Sequence, residues 1–426
     1  MKGATGIRLA ALAGAAIIAT AAAAQDPIKI GSSLPLTGGF SVTGEKHRKG
    51  FELCVEMINE KGGLIGRPIE LIVSDNRSDT ETAISQYERL INVDDVDIVF
   101  GTFSSKLTFP TSAIVAKYDM LFPVPSGGAL RIWMQGHKHQ VYFQQNAAEL
   151  IGNSPVKMVT ERVAEADRPK TAAVVHSDDF FANGIAAGLL GRTVENPGGG
   201  VLADLAPGYL KEAGIEVVME EHWPEEGFSD WLNLANSIKR SNAELVIGLT
   251  SSAEEAVQLS RALQTVKAQP KMIYLSQGTQ NEYLEGLGDA ATGVIVHSSW
   301  HADAPWVGLI SGEEITNQEF QKLFEARFGV PADEDSSIPF AVCEGVEQAV
   351  RATGTTDNLK LSEWLHARTK EDPVKTVLGP FYWDERGLPP DRTVLIAQWQ
   401  DGELKFVYPT DEFEGVADLL YPKPEW

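Results

Sequence analysis

Cysteine is nearly absent from this 426-residue chain, which holds only Cys54, in FELCVEMI, and Cys343, in PFAVCEGVEQAV. Two thiols cannot by themselves build a thiolate metal centre or a multiply bridged scaffold. Both lie in apolar, helix-like stretches far apart in sequence. Each is therefore expected to be a separate buried side chain, although export would permit a bridge. Positive charge is short as well: 36 Lys and Arg stand against 59 Asp and Glu, a formal net charge of −23. That balance argues against nucleic acid, whose phosphates are met by Lys and Arg, and gives little affinity for anionic lipid. Beyond the first 24 residues no stretch reaches about 18 apolar residues without a charge, so the mature chain is expected to insert in no membrane. Neither GxxxxGK[ST], HExxH, GxSxG nor GxGxxG occurs. No cofactor, metal or catalytic residue is expected. His137 and His139, with Asp119 and Glu149 the nearest acids, read as an ordinary loop. Asp178-Asp179 reads as an acidic strand-end loop without a partner base.

What is present begins with a processing segment. Lys2 and Arg8 precede the apolar run LAALAGAAIIAT, and Ala22-Ala23-Ala24 gives a small-residue cleavage pattern before Gln25. Residues 1–24 are thus expected to be a signal peptide, cut after Ala24, that delivers the protein to the periplasm. The remaining length suits two lobes better than one core.

Strand and helix patterns then alternate. Strands are expected at 28–34, 69–74, 96–100 and 121–124, with helices at 45–60, 80–92 and 106–118; Asp79 or Thr80 caps the second helix. A second alternating block starts near 170. Its strands are TAAVVHS, IEVVMEE, LVIGL and MIYLS, and its helices 179–191, 203–213, 229–241 and 252–266. TGVIVHSSW is a further strand, 316–328 and 339–351 are helices, and GPFYWDERG and TVLIAQWQDGELKFVYP read as short hairpin strands turning at Asp401-Gly402. Repeated alternation predicts α/β architecture with parallel-sheet cores.

Four segments carry a resemblance: IKIGSSLPLTG, INEKGGLIGRPIELIVSDNRSD, GTFSSKLTFP and the late GPFYWDERG. Nearly the whole mature chain resembles the periplasmic branched-chain amino acid-binding family of ABC transporters. The resemblance implies two Rossmann-like lobes joined by a three-crossing hinge, the type I periplasmic binding fold. Lobe one would be 26–145 plus 300–375, and lobe two 146–299 plus 376–426. It also implies a small-molecule ligand closed in the cleft, membrane permease subunits as partners, and a monomer.

The family's site carries over position by position. A ligand-carboxylate serine matches Ser105, beside Ser104. The next carboxylate-binding segment matches Ser126-Gly127-Gly128, without the family's threonine hydroxyl. Phe181 and Ser251 fall where the family has tyrosines, and Gln277 falls where an acid would meet the ligand ammonium. Phe40, Phe103 and Trp133 are nearby aromatics. Glutamine brings no charge, and burying an unpaired ammonium is costly. A small acid without an α-amino group, aromatic or short aliphatic, is therefore the expected ligand. An amino acid, with Asp178, Asp179 or Glu254 as substitute acid, and an amide or urea are the alternatives. A soluble sensor domain and an enzyme are the rival classes.

Overall fold

The structure is a computed structural model and describes residues 1, 3, 26–196, 199–392, 394–411 and 413–426. Apart from Met1 and Gly3, the expected leader and its cleavage site lie outside the described residues.

Two α/β lobes follow from two alternating blocks. In the first, the strand Ile28–Leu34 sits between Ile69–Asp75 and Ile98–Phe100, all parallel. Phe122–Val124 runs parallel to Gln140–Tyr142, and Gly101 N donates to Pro123 O at 2.9 Å beside it. Ile28–Leu34, Ile98–Phe100 and Phe122–Val124 are buried, as parallel strands covered by helices should be, whereas Ile69–Asp75 at the edge is buried only at Ile69. The second block builds one seven-stranded sheet. Thr171–Ser177, Leu245–Leu249, Met272–Leu275 and Val294–Ser298 pair in parallel, and Glu216–Trp223 joins one edge. The hairpin Leu395–Gln400 and Glu403–Tyr408 closes the other edge antiparallel. Asp401 and Gly402 both adopt positive φ at its tip, as a tight hairpin turn requires.

The apolar cores respect this division. One unites residues of the first block with Trp300, the Asn317–Phe328 and Glu334–Thr353 helices, Phe381 and Trp383. Others join the second block to Val394, Ile396 and Val407.

Three expectations need correction. Cys54 and Cys343 are not separate: they form a disulfide across 289 residues. The cause is the side-by-side packing of the Ser41–Glu60 and Glu334–Thr353 helices, which sets their Cα atoms 6.3 Å apart. The helix expected at 203–213 is instead a strand, Val201–Asp204, and one helical turn, Tyr209–Glu212. Pro207 lacks an N–H and Gly208 stands at φ +86°, so the run cannot stay helical. The helix expected at 339–351 starts five residues earlier, at Glu334, and carries Pro339 inside it. Asp333 caps it, accepting from Ser336 N at 3.2 Å, while Ser336 Oγ accepts from Asp333 N at 2.8 Å.

Candidate functional site

Ligands of open α/β sheets sit beyond the carboxyl ends of the strands. Here the loops after Leu34, Phe100, Val124, Ser177, Leu249 and Leu275 converge from both lobes on one cleft. They line a cavity with about 590 Å³ of atom-free space, its mouth included. All ten residues singled out as ligand-facing reach this cavity. Phe40, Phe103, Ser104, Ser105, Ser126, Gly127 and Gly128 come from the first lobe, and Phe181, Ser251 and Gln277 from the second. Trp133 does not: it is buried behind the 126–128 loop and donates its indole N–H to Gly127 O at 2.8 Å.

The lobe-one wall is built to present donors. Ser105 opens the Ser105–Lys117 helix, whose first N–H groups have no partner within the helix. Its Oγ accepts from Ala129 N at 3.3 Å, which leaves the hydroxyl proton to donate. The three carbonyls of the 126–128 loop are already committed, two within lobe one and one to the start of lobe two. Thr108 Oγ1 donates to Ser126 O at 2.7 Å, Trp133 to Gly127 O, and Ala148 N to Gly128 O at 2.7 Å. Ser126 itself is a different case. His47 Nδ1 faces Thr43 O, which only accepts, so this nitrogen carries the ring proton. Burial holds the ring neutral, its pKa pushed down to about 4. Nε2 is then an acceptor, and the Ser126 hydroxyl donates to it at 3.2 Å. Toward the cavity Ser126 can only accept.

The lobe-two wall is mixed. Ser251 Oγ donates to Glu255 Oε2 at 2.9 Å, so its oxygen faces the ligand as an acceptor. Gln277 Oε1 accepts from Gln280 Nε2 at 3.1 Å, leaving Gln277 its amide N–H groups. Gln280's orientation is fixed because its own oxygen accepts from Gly278 N at 2.9 Å. Aromatic rings fill the space between. Phe40 and Phe103 meet edge to face at 5.5 Å, and Phe181 leans on His297 at 6.3 Å. Phe181 passes so close to Gly128 that a Cβ there would lie 3.2 Å from the ring and 3.0 Å from the Tyr142 hydroxyl. A side chain at 128 would therefore make Phe181 or Tyr142 give by a few tenths of an ångström.

Several lining residues escaped the sequence reading: Tyr142, Gln144, Gln145, Ser276, His297, Glu334 and Asp335. Glu334 Oε1 accepts from Ser299 N at 2.7 Å and Gln145 Nε2 at 3.2 Å, and Oε2 from Thr279 at 3.3 Å. Burial raises its pKa to about 7, with Asp335's charge adding. Asp335 is pushed up by burial and by Asp333; it accepts from Thr43 at 3.1 Å and Gln280 at 3.0 Å. Of the acids expected to substitute at the site, Asp179 lines the cavity, whereas Asp178 holds Asn183 and Glu254 lines a separate outer pocket. Of the two loop histidines, His139 meets Ser362 at 3.0 Å. Among the described residues no cluster of three His, Cys, Asp or Glu is placed to hold a metal, and no helix is long and apolar enough to cross a membrane.

The two lobes touch across the cleft. Lys46 pairs with Glu282 at 2.6 Å, and Lys106 with Glu226 at 2.9 Å and Glu225 at 3.3 Å.

Two lobes that meet at a cavity beyond their strand ends have the shape of a solute-binding protein. Residues 27–403 match the periplasmic binding protein family, and the chain belongs to it. It is 25% identical to the Leu/Ile/Val-binding protein homolog 7 of Brucella suis over 97% of this chain and 99% of that one. Its fold is similar to that of a branched-chain amino acid transporter substrate-binding protein from Streptococcus pneumoniae, solved with isoleucine. That likeness has a TM-score of 0.74 and 18% identity, and covers 90% of this chain and all of the other. A solute-binding protein from R. palustris, solved with benzoate, superposes with TM-score 0.70 and 19% identity over 89% of this chain and 95% of that one. At this level the protein is a periplasmic binding protein, a solute-binding protein and not an enzyme.

Proposed function

We propose that this chain captures a small carboxylate-bearing solute between its lobes in the periplasm and delivers it, as a monomer, to membrane permease subunits. The observation that carries this reading is the donor wall: the Ser104 and Ser105 hydroxyls, the start of the Ser105–Lys117 helix, and a 126–128 loop whose carbonyls all point to other partners. Helix N-termini with unspent N–H groups suit an anion. The bound molecules of the two similar structures, isoleucine and benzoate, share a carboxylate, which supports the same end group here. Phe40, Phe103 and Phe181 suit an aromatic or short aliphatic body. A second reading, a zwitterionic amino acid, is favoured by Asp179, an acid that residue 277 no longer supplies.

Closure would be a hinge motion about three crossings. Two of these fall near 145/146 and 299/300. The third is put between 388 and 394 rather than at 375/376, because Phe381, Trp383 and Leu388 pack with the first lobe.

The test is calorimetry on the mature chain with benzoate, 3-phenylpropanoate and L-leucine. At least one should bind, and Ser105→Ala should weaken it by about 1–2 kcal/mol, the worth of one hydrogen bond to a charged group. Equal affinity in variant and parent would remove Ser105 from the site. Binding of none of the three would remove the carboxylate.

A further inference from the structure

Asp179 is the most exposed contradiction in the cavity's polar balance. It is 7% exposed and lines the cavity from lobe two. One carboxylate oxygen caps the Phe180–Leu190 helix, accepting from Phe181 N at 2.8 Å and Ala182 N at 3.1 Å. The other, Oδ2, is buried and has no hydrogen-bond partner in the protein. A buried acceptor left unmade is costly, more so when charged, so such an atom in a cleft calls for a partner.

The surroundings say which kind. Ser126 and Ser251 spend their hydroxyl protons on His47 and Glu255 and meet the cavity as acceptors. No described lining residue is Lys or Arg, and His297 is held neutral by burial, its pKa pushed down to about 4. Behind Asp179 stand Glu225 and Glu255, whose charges add to burial in raising its pKa to about 7. Glu255 is occupied by Ser251 and by the Trp223 indole at 2.9 Å. Lys106, from the other lobe, is the cation paired with this corner, and it already serves both Glu225 and Glu226. The corner therefore has more negative charge than the protein neutralises.

We infer that Asp179 is a specificity-determining residue: it receives a protonated nitrogen of the ligand, in place of position 277. Gln277 suits this division, since it offers the cavity N–H groups and would meet an acceptor elsewhere on the ligand. This inference rests on the reading of the cavity as the ligand site. The ligand so defined carries a carboxylate toward Ser104 and Ser105 and an ammonium toward Asp179, across the cleft from each other.

Calorimetry with matched probes tests it: L-leucine, 4-methylpentanoate and 3-methylbutylamine, and L-phenylalanine, 3-phenylpropanoate and 2-phenylethylamine. Each is titrated into the parent and Asp179→Asn, whose amide oxygen can still cap the helix. In the parent, a nitrogen-bearing probe should bind at least tenfold tighter than its deaminated counterpart. In Asp179→Asn that ratio should fall at least tenfold, while the thermal midpoint of the unliganded protein stays within a few degrees. Parent binding of deaminated acids alone, or of no nitrogen-bearing probe, overturns the inference. So does an unchanged ratio in the variant. Tight binding of the amines with none of the acids would leave Asp179 in its role and remove the carboxylate reading instead.

Discussion

The two walls of the cleft are held up in different ways. Lobe two backs its wall with a continuous seven-stranded sheet whose strand ends carry Asp179, Ser251 and Gln277. Lobe one has shorter sheet pieces of three and two strands. It relies on two 20-residue helices, Ser41–Glu60 and Glu334–Thr353, which lie side by side and are joined by Cys54–Cys343. Those helices bring Thr43, Lys46, His47, Glu334 and Asp335 to or near the cavity. In lobe two the sheet places the binding groups. In lobe one the loops after Phe100 and Val124 place Ser104, Ser105 and residues 126–128, and the bridged helix pair braces them and adds Glu334 and Asp335.

Removing that tie should give the largest effect. Cys54→Ala with Cys343→Ala should cost about 2–5 kcal/mol of stability, by the general effect of deleting a native disulfide. Calorimetry would record it, and hydrogen exchange would locate it. Protection should drop in 41–60 and 334–353 while 245–249 and 272–275 keep theirs. An equal loss in both lobes would break the comparison, and two titratable thiols in the unreduced, denatured protein would remove its basis.

The acids on the two walls give a second, smaller effect. Burial raises Glu334, in lobe one, and Asp179, in lobe two, to about 7. A carboxyl with a raised folded pKa holds its proton more tightly folded than unfolded. Its contribution is therefore full below the unfolded pKa and is lost as pH climbs through the folded one. Stability should fall between about pH 4.5 and 7. The loss should be about 1–2 kcal/mol per group, less than the full shift implies because both border the open cleft. Thermal midpoints across this range would show it, and Glu334→Gln and Asp179→Asn should each flatten part of the slope. A flat parent profile would mean that the cleft solvates both acids well, and the two walls would not differ from ordinary surface.

How far the sequence spoke follows the same division. Strand-end loops are local features: an apolar run followed by Gly, Ser or Thr announces them, and all ten residues read from them meet at one cavity. Asp79 was legible as a cap for the same reason, accepting from Thr82 N at 2.8 Å. Glu334 and Asp335 were not. Proline at 339 invites a helix start there, since its missing N–H is harmless in the first turn. The true start at Glu334 depends on the Asp333–Ser336 cap, so the two acids looked like loop residues. The disulfide was hidden by its 289-residue span. Asp179 was visible as an acid, but its unpartnered oxygen exists only once the helix it caps has used the other.

The smallest expected effect tests where the walls meet rather than what holds each one. Lys106 reaches from lobe one to Glu225 and Glu226 at the mouth of the cleft. Its side chain is 27% exposed and Glu226's 83%, so water competes for the pair. Exposed ion pairs contribute about 0–1 kcal/mol and are screened by salt. Lys106→Ala should therefore weaken ligand binding by less than about 1 kcal/mol, mostly as faster release, because the pair can form only when the lobes are together. Raising ionic strength should shrink the gap between variant and parent, since salt already weakens the parent's pair. The cation subsite at Asp179 adds a second consequence. Losing Lys106 leaves Glu225 and Glu226 without their partner and makes the corner more negative, which favours a ligand ammonium and offsets part of the lost closure. A nitrogen-bearing probe should then lose less affinity than its deaminated counterpart. Stopped-flow release rates for both probes at low and high salt separate the two contributions. A loss that is equal for both and insensitive to salt would show that Lys106 acts through packing and that the mouth carries no electrostatic latch.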